Sequence, residues 1–312
     1  MDYKEFLLIV KKEMEENLGN EYGVIMTKVL KNNGMEHEAL CIVKDLEPLV
    51  PAIYLYGYYE QMLHGKPLKE LIDIILDSYL KVLKRPDINS SILNDFDRVK
   101  DNIVFQLINT DLNQDLLEVV PNLPYLDLSI VFHVLLEENQ LGFLSVMIFD
   151  ENVQIWKTDV NELYLLAMRN TPKLLPVDLC SVGTLIENFL KTQIINEELK
   201  LLMRNCESPF YILTNKFRRN GACAILYDEL LANFANKIGE DIFILFISTD
   251  DVLLIPFSRQ EDLNRLVNRR NQTNNKLPDD EIMTNKIYCF DRKNHKINQC
   301  SDDILTARSH PC

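Results

Sequence analysis

The stretch of this chain whose residue types and spacing best suit a specific chemical task is Asn215-Lys216-Phe217-Arg218-Arg219-Asn220-Gly221. Between Ser208 and Gly221 lie three cations and no acid, in a chain of 312 residues with a formal net charge of −14. A loop of this kind between two predicted strands would aim its cations and backbone amides from one end of a sheet. It could then hold a phosphate or carboxylate through charge-assisted hydrogen bonds. Asn215, Lys216, Arg218 and Arg219 are therefore the candidate anion-binding residues, and Arg265 and Arg269, one turn apart on a predicted helix, could extend the patch. The same run also reads as a solvated hairpin turn whose charges serve solubility alone.

Other chemistries find less support. His37-Glu38-Ala39-Leu40-Cys41 falls one residue short of H-E-x-x-H, because Cys41 stands where the second histidine belongs. It also sits on a predicted strand, where residues four apart are separated by about 13 Å instead of one helical turn. His133 with Glu137, on an apolar strand, reads as a hydrogen-bonded core or edge histidine. Cys223 lies within the apolar run Ala222 to Leu226 and reads as a small buried hydrophobe. Cys206 follows Arg204-Asn205 with no histidine near it in sequence. The glycines never form G-x-G, and neither a phosphate-cradling G-x-x-x-x-G-K-[ST] nor a G-x-S-x-G elbow occurs. No catalytic set, metal or cofactor is expected. The tyrosine-rich run Tyr54-Leu55-Tyr56-Gly57-Tyr58-Tyr59 would line one face of a strand with Tyr54, Tyr56 and Tyr58. Such a face could stack a base or sugar or receive a protein, yet it lacks the cations of a nucleic-acid surface. Half-buried tyrosines packing on the following helix are the simpler account.

Composition narrows the partners. A chain with 47% hydrophobic and 26% charged residues is a packed globular one. Its acidity repels phosphate backbones and anionic membranes, so no nucleic acid and no membrane is expected as a partner. The start Met1-Asp2-Tyr3-Lys4-Glu5 lacks the pattern of a signal peptide, and apolar stretches are strand-sized, so a cytoplasmic location is expected. Seven scattered cysteines without C-x-x-C spacing read as reduced thiols.

The elements that must position these residues follow from periodicity. Tyr3, Phe6, Leu7, Val10, Met14 and Leu18 predict a helix ended by Gly19. Tyr22 to Leu30 and Met35 to Val43 predict a hairpin through Asn32-Asn33-Gly34. Leu68 to Leu83 form the strongest helical stripe, after Pro67. Asn102 to Ile108 reads as a strand, and Ser129 to Leu136 with Leu141 to Phe149 as a second hairpin turning at Glu138-Asn139-Gln140. Asp159 and Glu162 open a helix that Asn170 and Pro172 should stop, and Thr184 with Glu187 open another. Then come strands Phe210 to Thr214 and Ala222 to Tyr227, and a helix capped by Asp228 and closed by Gly239. Strands Asp241 to Ile247 and Val252 to Phe257 and a helix Glu261 to Arg270 complete the pattern.

Several segments together resemble the bacterial, clostridial family of domain of unknown function 5688 (DUF5688). They are the opening Tyr-Lys-Glu-Phe helix, Lys28 to Gly34, Met168 to Pro176, Tyr211 to Lys216 with Asn220-Gly221-Ala222 and Leu226-Tyr227, Asp251 to Pro256, and Ile287 to Arg292. The resemblance implies no activity and no site. Where relatives carry Pro-Ser-Ser-x-His-Glu, this chain reads Phe246-Ile247-Ser248-Thr249-Asp250-Asp251, and the missing histidine argues against catalysis at that turn.

The expectation is an α+β protein of antiparallel sheets with helices on one face, divided at residues 1–170 and 171–293, with 294–312 a loose tail. Its expected role is a non-enzymatic binding or interaction module meeting a protein partner. The alternative is an enzyme or sensor whose 215–221 loop holds a small anion.

Overall fold

A computed structural model describes residues 1–30, 32–43, 52–83, 93–139, 142–184, 210–264 and 282–300. The chain forms two compact units, Met1–Val99 and Lys100–Cys312. It is α+β, and every strand pairing among the described residues is antiparallel.

In the first unit, α1 (Tyr3–Leu18) begins where the Asp2 carboxylate accepts the Glu5 amide at 2.8 Å and ends at Gly19, whose φ of 74° suits glycine. The hairpin β1 (Gly23–Leu30) and β2 (Glu36–Val43) turns through Asn33 and Gly34, both at positive φ, and β3 (Ala52–Tyr54) pairs on β2. One face of this sheet (Val24, Leu40, Ile42) meets Phe6, Val10 and Met14 of α1. Ile72, Ile75 and Tyr79 of α3 (Leu68–Leu83) join the same core, and the Tyr79 hydroxyl donates to the Ile42 carbonyl at 3.2 Å. The expected strand face of tyrosines does not form. Tyr56–Leu63 is a helix, α2, because Leu55 enters the core and starts a helical turn in which Tyr58 and Tyr59 donate their amides to its carbonyl. A short α4 (Phe96–Val99) follows.

The second unit holds two sheets. In the four-stranded one, β6 (Leu128–Asn139) pairs with β4 (Ile103–Asn109), β5 (Asn122–Tyr125) and β7 (Gly142–Met147), with α5 (Gln114–Leu117) between β4 and β5. The expected turn at 138–140 lies partly outside the described residues. Next come α6 (Asp150–Trp156), which buries Trp156, and α7 (Val160–Leu174). Asp159 caps α7 as its sequence requires, but Asn170 and Pro172 do not stop it. Tertiary bonds carry the helix past them: the Asn170 side chain donates to the carbonyls of Lys100 (2.8 Å) and Ile103 (3.2 Å), and Thr171 Oγ1 accepts the Phe105 amide at 3.2 Å. These bonds join α7 to the β4 region, so the chain divides at Val99/Lys100 and a boundary at residue 170 would cut this helix.

The second sheet runs β13-β12-β10-β11-β9-β8, from β8 (Val177–Ser181), β9 (Tyr211–Asn215), β10 (Ile242–Phe246), β11 (Val252–Pro256), β12 (Tyr288–Asp291) and β13 (Lys296–Gln299). In place of the strand expected from Ala222 to Tyr227 there is a buried 3-10 helix, Gly221–Leu226. Its small residues, Gly221, Ala222 and Ala224, let the backbone sink into the core, where a continuous apolar run cannot distinguish helix from strand. The helix α8 (Leu230–Ile238) has Glu229 at its N-cap, at φ 57° and without a side-chain cap, so Asp228 does not perform that role. Gly239 closes α8 as expected. Residues 294–300 are not loose: β13 completes a hairpin with β12. The helix expected after Thr184 and most of the one after Glu261 lie outside the described residues.

Asp127, in the β5–β6 turn, links the two sheets. It accepts from Thr284 Oγ1 at 2.7 Å and from the Tyr288 hydroxyl, and pairs with the Lys286 ammonium at 3.5 Å. Tyr227, just beyond the 3-10 helix, donates its hydroxyl to the Leu175 carbonyl at 2.6 Å while its ring meets Phe105 of β4.

Candidate functional site

The 215–221 segment leaves the end of β9 and enters the 3-10 helix. It is a knuckle tied from within. Asn215 is 0% exposed; its amide nitrogen donates to the Arg219 carbonyl at 2.7 Å and its side-chain oxygen accepts the Phe217 amide at 2.9 Å. The Lys216 amide donates to Pro176, the Arg218 amide to the Asn215 carbonyl, and the Asn220 amide to Asp250 Oδ1 at 2.7 Å. Arg218 and Asn220 both sit at φ 51°, which gives the knuckle its tight double reversal. Gly221 is required by space: a Cβ there would lie 2.2 Å from Thr214 Oγ1 and 2.4 Å from the Asp250 carbonyl.

The amides of Lys216, Phe217, Arg218 and Asn220, expected to project toward a ligand, are therefore taken up by the chain itself. Of the expected site residues, Asn215 holds the loop, whereas Lys216, Arg218 and Arg219 reach its surface. Lys216 Nζ lies over the Phe217 ring at 4.5 Å. Arg218 meets the Asp178 carboxylate at 3.5 Å, and Arg219, 65% exposed, reaches Asp250 at 4.0 Å. Arg265 and Arg269 lie outside the described residues.

Sequence reasoning missed the three carboxylates that share this end of the sheet: Asp178 on β8, and Asp250 and Asp251 in the β10–β11 turn. Burial raises the Asp250 carboxyl above its ordinary range, opposed by the Asn220 amide and Arg219. Burial likewise raises Asp251, opposed by the Thr214 hydroxyl and Arg218. Asp251 Oδ1 is buried and has no hydrogen-bond partner among the described residues. Burial pushes the Cys180 thiol up, and Asp178 adds to it. The signal available in sequence was Ser248-Thr249-Asp250-Asp251 between two apolar strands, a polar turn at the sheet end where the knuckle also lies.

Elsewhere, neither nitrogen of His133, expected to be hydrogen-bonded, has a hydrogen-bond partner among the described residues. Burial lowers its pKa from 6.5 to about 4. The side chains of His37 and Glu137 are outside the described set, as is Cys206. Cys223 is buried, and burial pushes its thiol up to about 12, far from a reactive thiolate. No group of three or more potential metal ligands occurs among the described residues.

No curated protein and no solved structure matches the chain. The profile of a family of unknown function matches residues 3–292, nearly the whole length. The chain belongs to that family, DUF5688.

Proposed function

We propose that this protein is a non-enzymatic binding or interaction module, working in the cytoplasm, that meets a protein partner through the 215–221 knuckle. One observation supports the reading above others: the amides of Lys216, Phe217, Arg218 and Asn220 are bonded to acceptors of the chain itself, and the two guanidinium groups stand beside carboxylates. Lys216, Arg218 and Arg219 against Asp178, Asp250 and Asp251 make a surface of alternating sign. Such a surface fixes the register of a macromolecular partner better than it grips a free anion. A phosphate would have to displace Asp178 from Arg218 and would meet the field of Asp250. No helix among the described residues is long and apolar enough to cross a membrane.

The test is a thermal-shift screen over nucleotides and phosphorylated metabolites, beside affinity capture with wild type and with the Arg218→Ala, Arg219→Ala double variant. The expected result is no shift with any anion and a captured protein lost in the double variant. Stabilisation by a phosphorylated metabolite that the double variant abolishes would replace this reading with the anion-binding one.

A further inference from the structure

The tyrosine run singled out in the sequence becomes a surface feature once α2 forms. Three residues apart on a helix means the same face, and Tyr56 and Tyr59 both meet Tyr3, the first residue of α1. The Tyr3 ring lies 5.5 Å from Tyr56, edge-on at 77°, and 5.1 Å from Tyr59, and Tyr56 and Tyr59 are 6.3 Å apart. Phe6, wholly buried, supports Tyr59 from below at 5.5 Å, and the Tyr59 hydroxyl donates to the Met1 carbonyl at 3.4 Å. The cluster is anchored, yet Tyr56 remains 48% exposed.

The groups that act on the Tyr3 hydroxyl are a phenol and a carboxylate. Glu38 on β2 and the Tyr56 phenol both act on the Tyr3 hydroxyl, whose pKa burial, with their help, pushes up to about 12. Lys28, the cross-strand neighbour of Glu38, gives its ammonium to Glu36 at 2.8 Å and feels the Glu38 carboxylate less strongly. Ring faces, phenol oxygens and a carboxylate all favour a cation and repel a phosphate. The ring centroids lie 5.1 to 6.3 Å apart, too close for a cation to sit between them. A cation must therefore stack on the outer face and draw further contacts from a larger body. Guanidinium, planar and weakly hydrated, suits such a face better than ammonium, and a chain of net charge −14 steers basic partners toward itself.

We propose that the Tyr3–Tyr56–Tyr59 cluster, with Glu38 beside it, is the docking point for an arginine side chain from a basic segment of a protein partner. The inference does not depend on the 215–221 knuckle, and the following experiment bears on it alone. A nona-arginine peptide is titrated into the full chain at about 0.15 M salt, with a nona-lysine peptide alongside, under the screening expected in a cell. Tyr56→Ala and Glu38→Gln should each weaken nona-arginine binding by about two- to fivefold, the range of an exposed cation–π contact. Tyr56→Phe, which keeps the ring, should bind like wild type. Glu16→Gln removes an equal charge from the far end of α1 and should also leave binding unchanged. Nona-lysine should bind more weakly than nona-arginine. Should Tyr56→Ala and Glu38→Gln both bind nona-arginine as wild type does, or should Glu16→Gln weaken it as much as Glu38→Gln, the attraction is diffuse charge and the docking point is refuted. Because Tyr56 and Glu38 lie on different elements, failure of one variant to fold leaves the other to decide.

Discussion

At Gly221 the fold leaves no room for even a methyl group. The atoms in the way are the Thr214 hydroxyl and backbone of the β10–β11 turn and of Asn215. Gly221→Ala should therefore cost about 2–3 kcal/mol, as overpacking against atoms that cannot step aside does, read as a lower urea midpoint. His133 yields a pH prediction. Its folded pKa of about 4 lies below the unfolded 6.5, so the unfolded chain binds the extra proton first. This group costs no stability above pH 6.5; the loss grows as pH falls through that window and is complete below about 4. The shift corresponds to about 3 kcal/mol. His133→Phe should flatten that part of the profile in urea titrations at pH 7 and pH 4.5, and an unchanged profile would show that other groups set the acid limit. The residues of the knuckle were legible as a cluster of cations, because charge composition is visible in one dimension. The carboxylates opposing them were not, since Asp178 and Asp250 come from turns and strands some forty and thirty positions away.

Among the elements, α1, the β1–β2 hairpin and α3 could be read directly because local pattern and tertiary burial agree. The apolar stripe of α1 buries Phe6, Val10 and Met14, and the Asn-Gly turn takes the positive φ angles it favours. The misread elements are those where local pattern leaves a tie. Alternating tyrosines fit a strand, yet α2 forms because Leu55 is drawn into the core. Gly221–Leu226 is apolar at nearly every position and hence silent about period, and β13 is polar and exposed enough to resemble a tail. The C-terminal turn of α7 was misread for another reason: its support comes from 66 residues away, where the Phe105 amide reaches Thr171. Thr171→Val keeps the shape and removes that acceptor. Leaving the buried Phe105 amide unsatisfied should cost about 1–3 kcal/mol, seen in the denaturation midpoint and in faster hydrogen exchange at Phe105.

For the molecule as a whole, Asp127 matters more than its place in a short turn suggests. A single carboxylate accepts from Thr284 and Tyr288 and pairs with Lys286, tying the four-stranded sheet to the six-stranded one. Asp127→Ala should destabilise by about 2–4 kcal/mol, since two charge-assisted bonds go and a buried phenol loses its acceptor. The loss should appear first as faster exchange of β12 amides; equal acceleration throughout the chain would mean that the link has no local role. The burial of Trp156 in α6 has an experimental consequence. It is the chain's sole tryptophan and belongs to the Lys100–Cys312 unit, so Met1–Val99 carries no indole. Emission excited at long wavelength follows the larger unit alone, whereas far-ultraviolet dichroism sums helices from both. Superimposed melting curves from the two signals mark one cooperative transition, and displaced curves mark two. The protein thus contains its own optical label for the larger unit, and no dye has to be attached to watch that unit unfold.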